Sequence, residues 1–314
     1  MIVDAGKLES RFFRWSAGGA PVLLVPHRQS SPITHHRWLG VLALVAAFDG
    51  AAAQLPDTVG FPSKDGNTQL IGYLFKPNGN GPFPAVVMLH GRTGPYSVAA
   101  KGVYTAATLT QRHKSWGEFW AARGYLALHV DSFSPRGYAQ GFPIRSYKNR
   151  PSAVSEQTVR PLDAYGALDY LRSRDDVIGD RIGVQGWSNG AMTLLATLAD
   201  NAPGIAKPTP QTGFRAALAL YPGCREQEKQ NYRPYAPLLM LLASEDDEVS
   251  PVVCQRMAEQ VIARGADLAF VVYQGAQHSF DDPGGRKQAN DANRAATLDA
   301  RKRAEQFFAR HLLQ

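Results

Sequence analysis

The sequence predicts one α/β domain, a mostly parallel central sheet covered by helices on both faces. Three observations predict it. Runs such as Pro84-Ala-Val-Val-Met-Leu-His90 and Tyr125–Val130 are continuously apolar, without the alternation of a half-solvated strand. A strand must be buried on both faces to read that way. Between such runs lie segments with helical spacing, for example Leu162, Tyr165, Leu168 and Leu171. Strand and helix signals alternate along the chain, and this order closes most economically into βαβ units. The third observation is Gly186-Trp-Ser-Asn-Gly190, a Gly-x-Ser-x-Gly turn between an apolar strand and an apolar-periodic helix. Such a turn holds a serine in strained backbone with its hydroxyl above the sheet edge.

The chain has 314 residues, 44% hydrophobic and 19% charged, with a net charge of +7. That length accommodates one large or two ordinary domains, and the strand–helix order favours one. The basic residues are spread along the chain without runs or aromatic interleaving, so nucleic acid is not an expected partner. Cys224 and Cys254 are the two cysteines, too far apart for a Cys-x-x-Cys metal or redox motif. No metal and no cofactor are expected.

Residues 1–53 read as an export signal with an upstream extension, and 54–314 as the catalytic domain. His35-His36-Arg37 is a positive flank, Trp38–Phe48 an uncharged apolar run, and Ala51-Ala52-Ala53 supplies small residues for cleavage before Gln54. The apolar run is shorter than the roughly 20 residues that span a bilayer, so no stable membrane insertion is expected. Met1 to about Leu24 exceeds an ordinary leader; either the positive region is long or translation starts downstream, as at Val25. A secreted or periplasmic location follows.

Within the domain, Thr58–Pro62 and Leu70–Phe75 are expected strands joined by the turn Lys64-Asp-Gly-Asn67. Strand Pro84–His90 follows, then a long polar segment leading to a helix near Trp116–Arg123. Strand Tyr125–Val130 precedes a Gly/Pro-rich loop to Ser155 and a helix over Glu156–Arg174. The serine turn comes next, its strand Ile182–Gln185 before it and its helix from Asn189. Strands Ala216–Tyr221 and Pro237–Ala243, helix Val252–Arg264, strand Ala269–Tyr273 and a helix over Ala292–Leu313 complete the chain.

In such a sheet ligands bind beyond the carboxyl ends of the strands. Partners for Ser188 are therefore sought just after later strands. Of eight histidines, His278 alone follows a strand after the serine. A serine needs a base to take its proton, and a carboxylate to hold that base in the right tautomer. Ser244-Glu-Asp-Asp-Glu248 follows strand Pro237–Ala243. Asp247 is the chosen acid, at the bend before a helix started by Ser250-Pro251, with Asp246 the competitor. Two backbone donors should form an oxyanion hole: Asn189, after the nucleophile, and Arg92 in the turn His90-Gly-Arg-Thr-Gly94. His90, Trp187, Phe133 and Arg136 are the candidate pocket residues.

Leu89-His-Gly-Arg-Thr-Gly94, Val130-Asp-Ser-Phe-Ser-Pro-Arg-Gly137, Gly186–Gly190, Tyr221-Pro-Gly-Cys224, the Asp247…Pro251 turn and Gly275-Ala-Gln-His-Ser-Phe280 together resemble the dienelactone hydrolase family. The resemblance covers roughly residues 56–313. It implies the α/β-hydrolase fold, Ser188, Asp247 and His278 as a triad, and Asn189 and Arg92 as oxyanion donors. Dienelactone hydrolases proper carry cysteine as nucleophile, whereas serine stands here, which favours a general small-molecule carboxylic ester as substrate. Asp131 and Arg136 of the second motif are expected to hold their loop in shape. The basic residues Arg92, Lys101, Arg112, Lys114, Arg136, Arg145, Lys148 and Arg150 lie in two rim segments and would favour anionic esters if they faced the pocket.

In the fold so implied, the strands before Cys224 and Cys254 are neighbours about 4.8 Å apart, close enough for a disulfide. An exported chain would keep it. Two alternatives remain: a serine peptidase of prolyl-oligopeptidase type, for whose gating domain the chain has no room, and a binding protein on a hydrolase scaffold.

Overall fold

The computed structural model describes residues 55–314; the expected leader and its cleavage point lie outside the described residues. Eight strands form one sheet: β1 (Asp57–Pro62), β2 (Gln69–Phe75), β3 (Phe83–Leu89), β4 (Leu126–Asp131), β5 (Val177–Trp187), β6 (Ala217–Leu220), β7 (Leu238–Glu245) and β8 (Leu268–Gln277). Their spatial order is β1-β2-β4-β3-β5-β6-β7-β8. Strands β3 to β8 pair in parallel, while β2 runs antiparallel to both β1 and β4. All eight expected strands are present, and the fold is the α/β-hydrolase fold.

The central strands are mostly apolar because most of their residues face one of two cores. In β3, Ala85, Val87 and Leu89 join one buried cluster, and Val86 and Met88 the other. Helices α2 (Arg160–Arg172), α3 (Asn189–Leu198) and α5 (Pro251–Ala263) supply the first cluster, through residues such as Leu168, Leu194 and Met257. Helices α1 (Gln111–Ala121) and α7 (Asp291–Leu312) supply the second, through Trp116, Trp120 and Phe308. Two short helices, α4 (Arg225–Lys229) and α6 (Gly285–Gln288), follow β6 and β8; the sequence did not predict them. Both are about one turn long, too short for a periodic apolar stripe.

Helix α5 begins as expected, with Ser250 as its N-cap residue and Pro251 at the first helical position. The end of β7 differs from expectation in a way that matters for the site. It runs on through Glu245, which pairs with Gln277 of β8, so the chain leaves the sheet two residues later than Ala243. Among the described residues, no helix is long and apolar enough to cross a membrane.

Candidate active site

Ser188 sits at the sharpest point of the backbone between β5 and α3, at φ 51° and ψ −115°. The strain is held by close approach on both sides. A Cβ on Gly186 would lie 2.4 Å from the Gly190 carbonyl oxygen, and one on Gly190 would lie 2.0 Å from the Leu89 carbonyl oxygen. Only glycine tolerates either contact, so the serine is pinned at the sheet's carboxyl edge, with its own N–H donated to Leu220 O of β6 at 3.0 Å.

His278, the first residue beyond β8, brings Nε2 to 2.9 Å from Ser188 Oγ. Its Nδ1 lies 2.7 Å from Asp246 Oδ2. With Nδ1–H donated to the carboxylate, Nε2 is left to accept from the serine hydroxyl. Asp246 is itself oriented, since its Oδ1 accepts the backbone N–H groups of Glu248 and Val249, each at 2.9 Å. The expected acid, Asp247, is not at the histidine: it is exposed. The longer β7 explains the correction. Asp246 is the first residue past the strand and caps the turn that follows, and the next side chain in that turn faces solvent.

The N–H groups of Asn189 and Arg92 donate no hydrogen bond among the described residues. Gly91 packs against the elbow, where a Cβ on it would lie 3.6 Å from Ser188 Cβ, so the loop after β3 lies beside Ser188. His90 is fully buried beneath that loop. Its Nδ1 lies 2.7 Å from Gly91 O, and its Nε2 accepts the Ser132 N–H at 3.3 Å. The Arg92 side chain is engaged away from Ser188. It makes a two-pronged pair with Glu248 at 2.8 Å for each prong, and donates to Phe142 O at 3.0 Å. Glu248 also lies 3.7 Å from His278 Nε2. Burial works against its ionisation, but the hydrogen bonds and charge of Arg92 outweigh burial and hold its carboxyl below the usual range.

A cavity of about 700 Å³ opens against the acid loop, lined by Tyr147, Met192, Gly223, Asp246, Glu248 and Val249 among others. None of His90, Trp187, Phe133 and Arg136 lines it. They are engaged elsewhere in the protein. His90, Trp187 and Phe133 are fully buried, and His90 packs edge-on to Phe133 at 4.4 Å. Arg136 is paired with Asp163 and Asp65, each at 2.7 Å. Asp131 accepts the N–H groups of Phe133 and Ser134, so both motif residues shape their loop, though not through each other. Of the eight rim cations, Lys148 alone is among the cavity-lining residues, beside Glu156, Glu226 and Asp247. The expected basic rim therefore does not face the cavity.

Sequence reasoning missed Asp281. Its Oδ2 accepts the indole N–H groups of Trp116 at 2.8 Å and Trp187 at 2.9 Å, and its Oδ1 accepts the Tyr221 hydroxyl at 2.5 Å. The Tyr221 ring in turn packs on His278 at 4.9 Å. One buried carboxylate thus links Trp187, the residue before Ser188, to the histidine loop. Its signal was present as the acid three residues after His278. The disulfide expected from the sequence is formed: Cys224 and Cys254 are bonded, with Cα atoms 5.0 Å apart.

The model of the dienelactone hydrolase family matches residues 70–312. The chain belongs to that family. Solved structures that resemble the chain carry the same fold. A dienelactone hydrolase-like promiscuous phosphotriesterase from metagenomic libraries superposes with a TM-score of 0.57, at 19% identity, over 82% of this chain and 99% of its own. Esterase 2 of Thermogutta terrifontis superposes with a TM-score of 0.56, at 17% identity, over 81% of this chain and 94% of its own. A Bacillus subtilis (strain 168) protein named as a hydrolase, YtaP, is 28% identical over 144 residues, which are 43% of this chain and 46% of that protein. The match thus spans about half the length of that curated relative.

Proposed function

We propose that this member of the dienelactone hydrolase family is a serine carboxylic-ester hydrolase acting through Ser188, His278 and Asp246. The observation that carries the reading is the continuous relay from Ser188 Oγ through the His278 ring to Asp246, at 2.9 and 2.7 Å. Ser188 Oγ attacks the ester carbonyl as His278 Nε2 takes its proton. The carbonyl π electrons move onto oxygen, and the free N–H groups of Asn189 and Arg92 stabilise that charge. Asp246 holds the histidine tautomer and stabilises the imidazolium. Collapse expels the alcohol, protonated by His278, and leaves an acyl-serine. Water, activated by the same histidine, then releases the acid.

The cavity accommodates a small-molecule ester, and its mixed lining does not select for an anion. The buried disulfide supports folding in an oxidising compartment, in keeping with an exported chain. The test uses p-nitrophenyl esters of graded chain length beside a peptide anilide. Ester turnover that disappears in Ser188→Ala, with an alkyl phosphonate labelling Ser188 in the wild type, is expected. Faster cleavage of the anilide than of every ester would favour a peptidase instead, and turnover surviving in Ser188→Ala would overturn the triad.

A further inference from the structure

Arg160, at the start of α2, is completely buried, and no carboxylate lies within ion-pair distance of it among the described residues. Its neighbour Asp163 is already taken by Arg136. Burial drives the guanidinium pKa down to about 10, which still leaves it charged at neutral pH. The charges of Asp163 and Glu156 offset part of the cost of burial, but a buried cation without a direct ion pair is unfavourable, and an apolar side chain of similar volume serves a fold as well or better. Packing alone therefore does not account for arginine here.

Its contacts do. Nη1 donates to Asn189 Oδ1 at 2.5 Å, and Nη2 donates to His90 O at 2.8 Å. Asn189 supplies one oxyanion N–H, and His90 begins the turn that supplies the other from Arg92. The two loops come from different strands, β5 and β3, and the guanidinium fork is the side-chain bridge between them. Phe133 covers the guanidinium from outside, its ring centroid 5.0 Å away. The cation is thus fixed behind the oxyanion position and shielded from water, where a charge acts over a longer range than in solvent.

We propose that Arg160 is a positioning residue for ester hydrolysis, setting the spacing of the two oxyanion donors and adding positive potential behind them. This rests on the serine-esterase reading. The neutral ground-state carbonyl gains little from either effect, and the tetrahedral oxyanion gains much. The loss on mutation therefore falls on kcat and not on KM.

The experiment compares wild type, Arg160→Met, Arg160→Lys and Asn189→Ala in ester kinetics and in binding of an aryl trifluoromethyl ketone. Ser188 Oγ adds to the ketone carbon, its proton passes to His278, and the π pair becomes an oxyanion in the same hole. Arg160→Met is expected to lower kcat on the order of 10²-fold and to weaken the ketone in proportion, with KM within about threefold of wild type. Arg160→Lys, which keeps the charge but loses the fork, should recover about tenfold of that. Asn189→Ala keeps the backbone donor but removes the anchor, and should lower kcat by at least about tenfold. A folded Arg160→Met with kcat and ketone affinity within about threefold of wild type overturns the proposal. If Arg160→Met does not fold, Asn189→Ala decides by the same limits. Wild type left unlabelled at Ser188 by the phosphonate sinks the esterase reading, and this proposal with it; labelled wild type with unaffected variants sinks this proposal alone.

Discussion

Cutting the Cys224–Cys254 bridge should lower the stability of the domain by an amount that follows from its place in the chain. The bridge joins Cys224, just before α4, to the first turn of α5 across a sequence separation of 30. Closing a loop of that length removes about 12 cal/mol/K from the unfolded chain, or about 3.6 kcal/mol at 25 °C. For the roughly 260 residues described, unfolding releases about 2.1 cal/mol/K per residue, so the loss corresponds to a melting shift of roughly 7 °C. Both sulfurs are buried, at 1% and 0% residue exposure, and replacing them would add cavity terms to the measurement. The cleaner perturbation keeps the sequence and removes only the bond. Guanidinium unfolding of the wild type is followed with and without a phosphine reductant, and thiol titration confirms reduction. The midpoint should fall, and the slope should rise because the uncrosslinked chain exposes more surface. Coincident transitions with two titrated thiols per chain would refute the reasoning, because the bond would then be absent from the native protein or without effect on its unfolded state.

Asp246→Asn should lower kcat on the order of 10⁴-fold through the wrong histidine tautomer, whereas Asp247→Asn should change it by no more than about twofold; steady-state kinetics on one ester settles the order, and the reverse would return Asp247 to the triad. Acid should destabilise the fold through His90, His113 and His129, which are fully buried. Burial holds His129 down to about 3 and the other two well below the usual histidine range. The unfolded chain takes up their protons below about pH 6.5 while the native one does not, so stability falls with pH between that value and the native pKa values, at up to about 1.4 kcal/mol per pH unit for each histidine. Urea midpoints at pH 7.5 and 5 measure this, and equal midpoints would contradict it. Both ring nitrogens of His129 lack a hydrogen-bond partner among the described residues, so His129→Leu should flatten that pH slope without a large loss at pH 7.5. N-terminal sequencing of the protein from its native host should begin at or near Gln54; recovery with Met1 intact would refute the expected leader.

What the sequence determined by itself was whatever depends on local pattern. Apolar runs located the parallel strands, because a strand buried on both faces leaves few polar positions, and the turn Lys64–Asn67 located the first two. The Gly-x-Ser-x-Gly spacing located the strained serine turn, because Gly186 and Gly190 answer to contacts within a few residues of Ser188 and with the adjacent strand. His278 and the pairing of Cys224 with Cys254 were legible from chain order and strand adjacency. Tertiary structure alone decided between Asp246 and Asp247, since that choice turns on whether β7 ends at Ala243 or, held by pairing with Gln277 of β8, at Glu245. It also decided that His90, Phe133, Trp187 and Arg136 do not line the cavity, because periodicity says that a residue is buried and not against what. The contacts of Arg160 and Asp281 lay furthest out of reach. Arg160 meets Asn189 across 29 residues and Asp281 meets Trp116 across 165, and hydrogen bonds between such distant positions leave no spacing in the sequence to read.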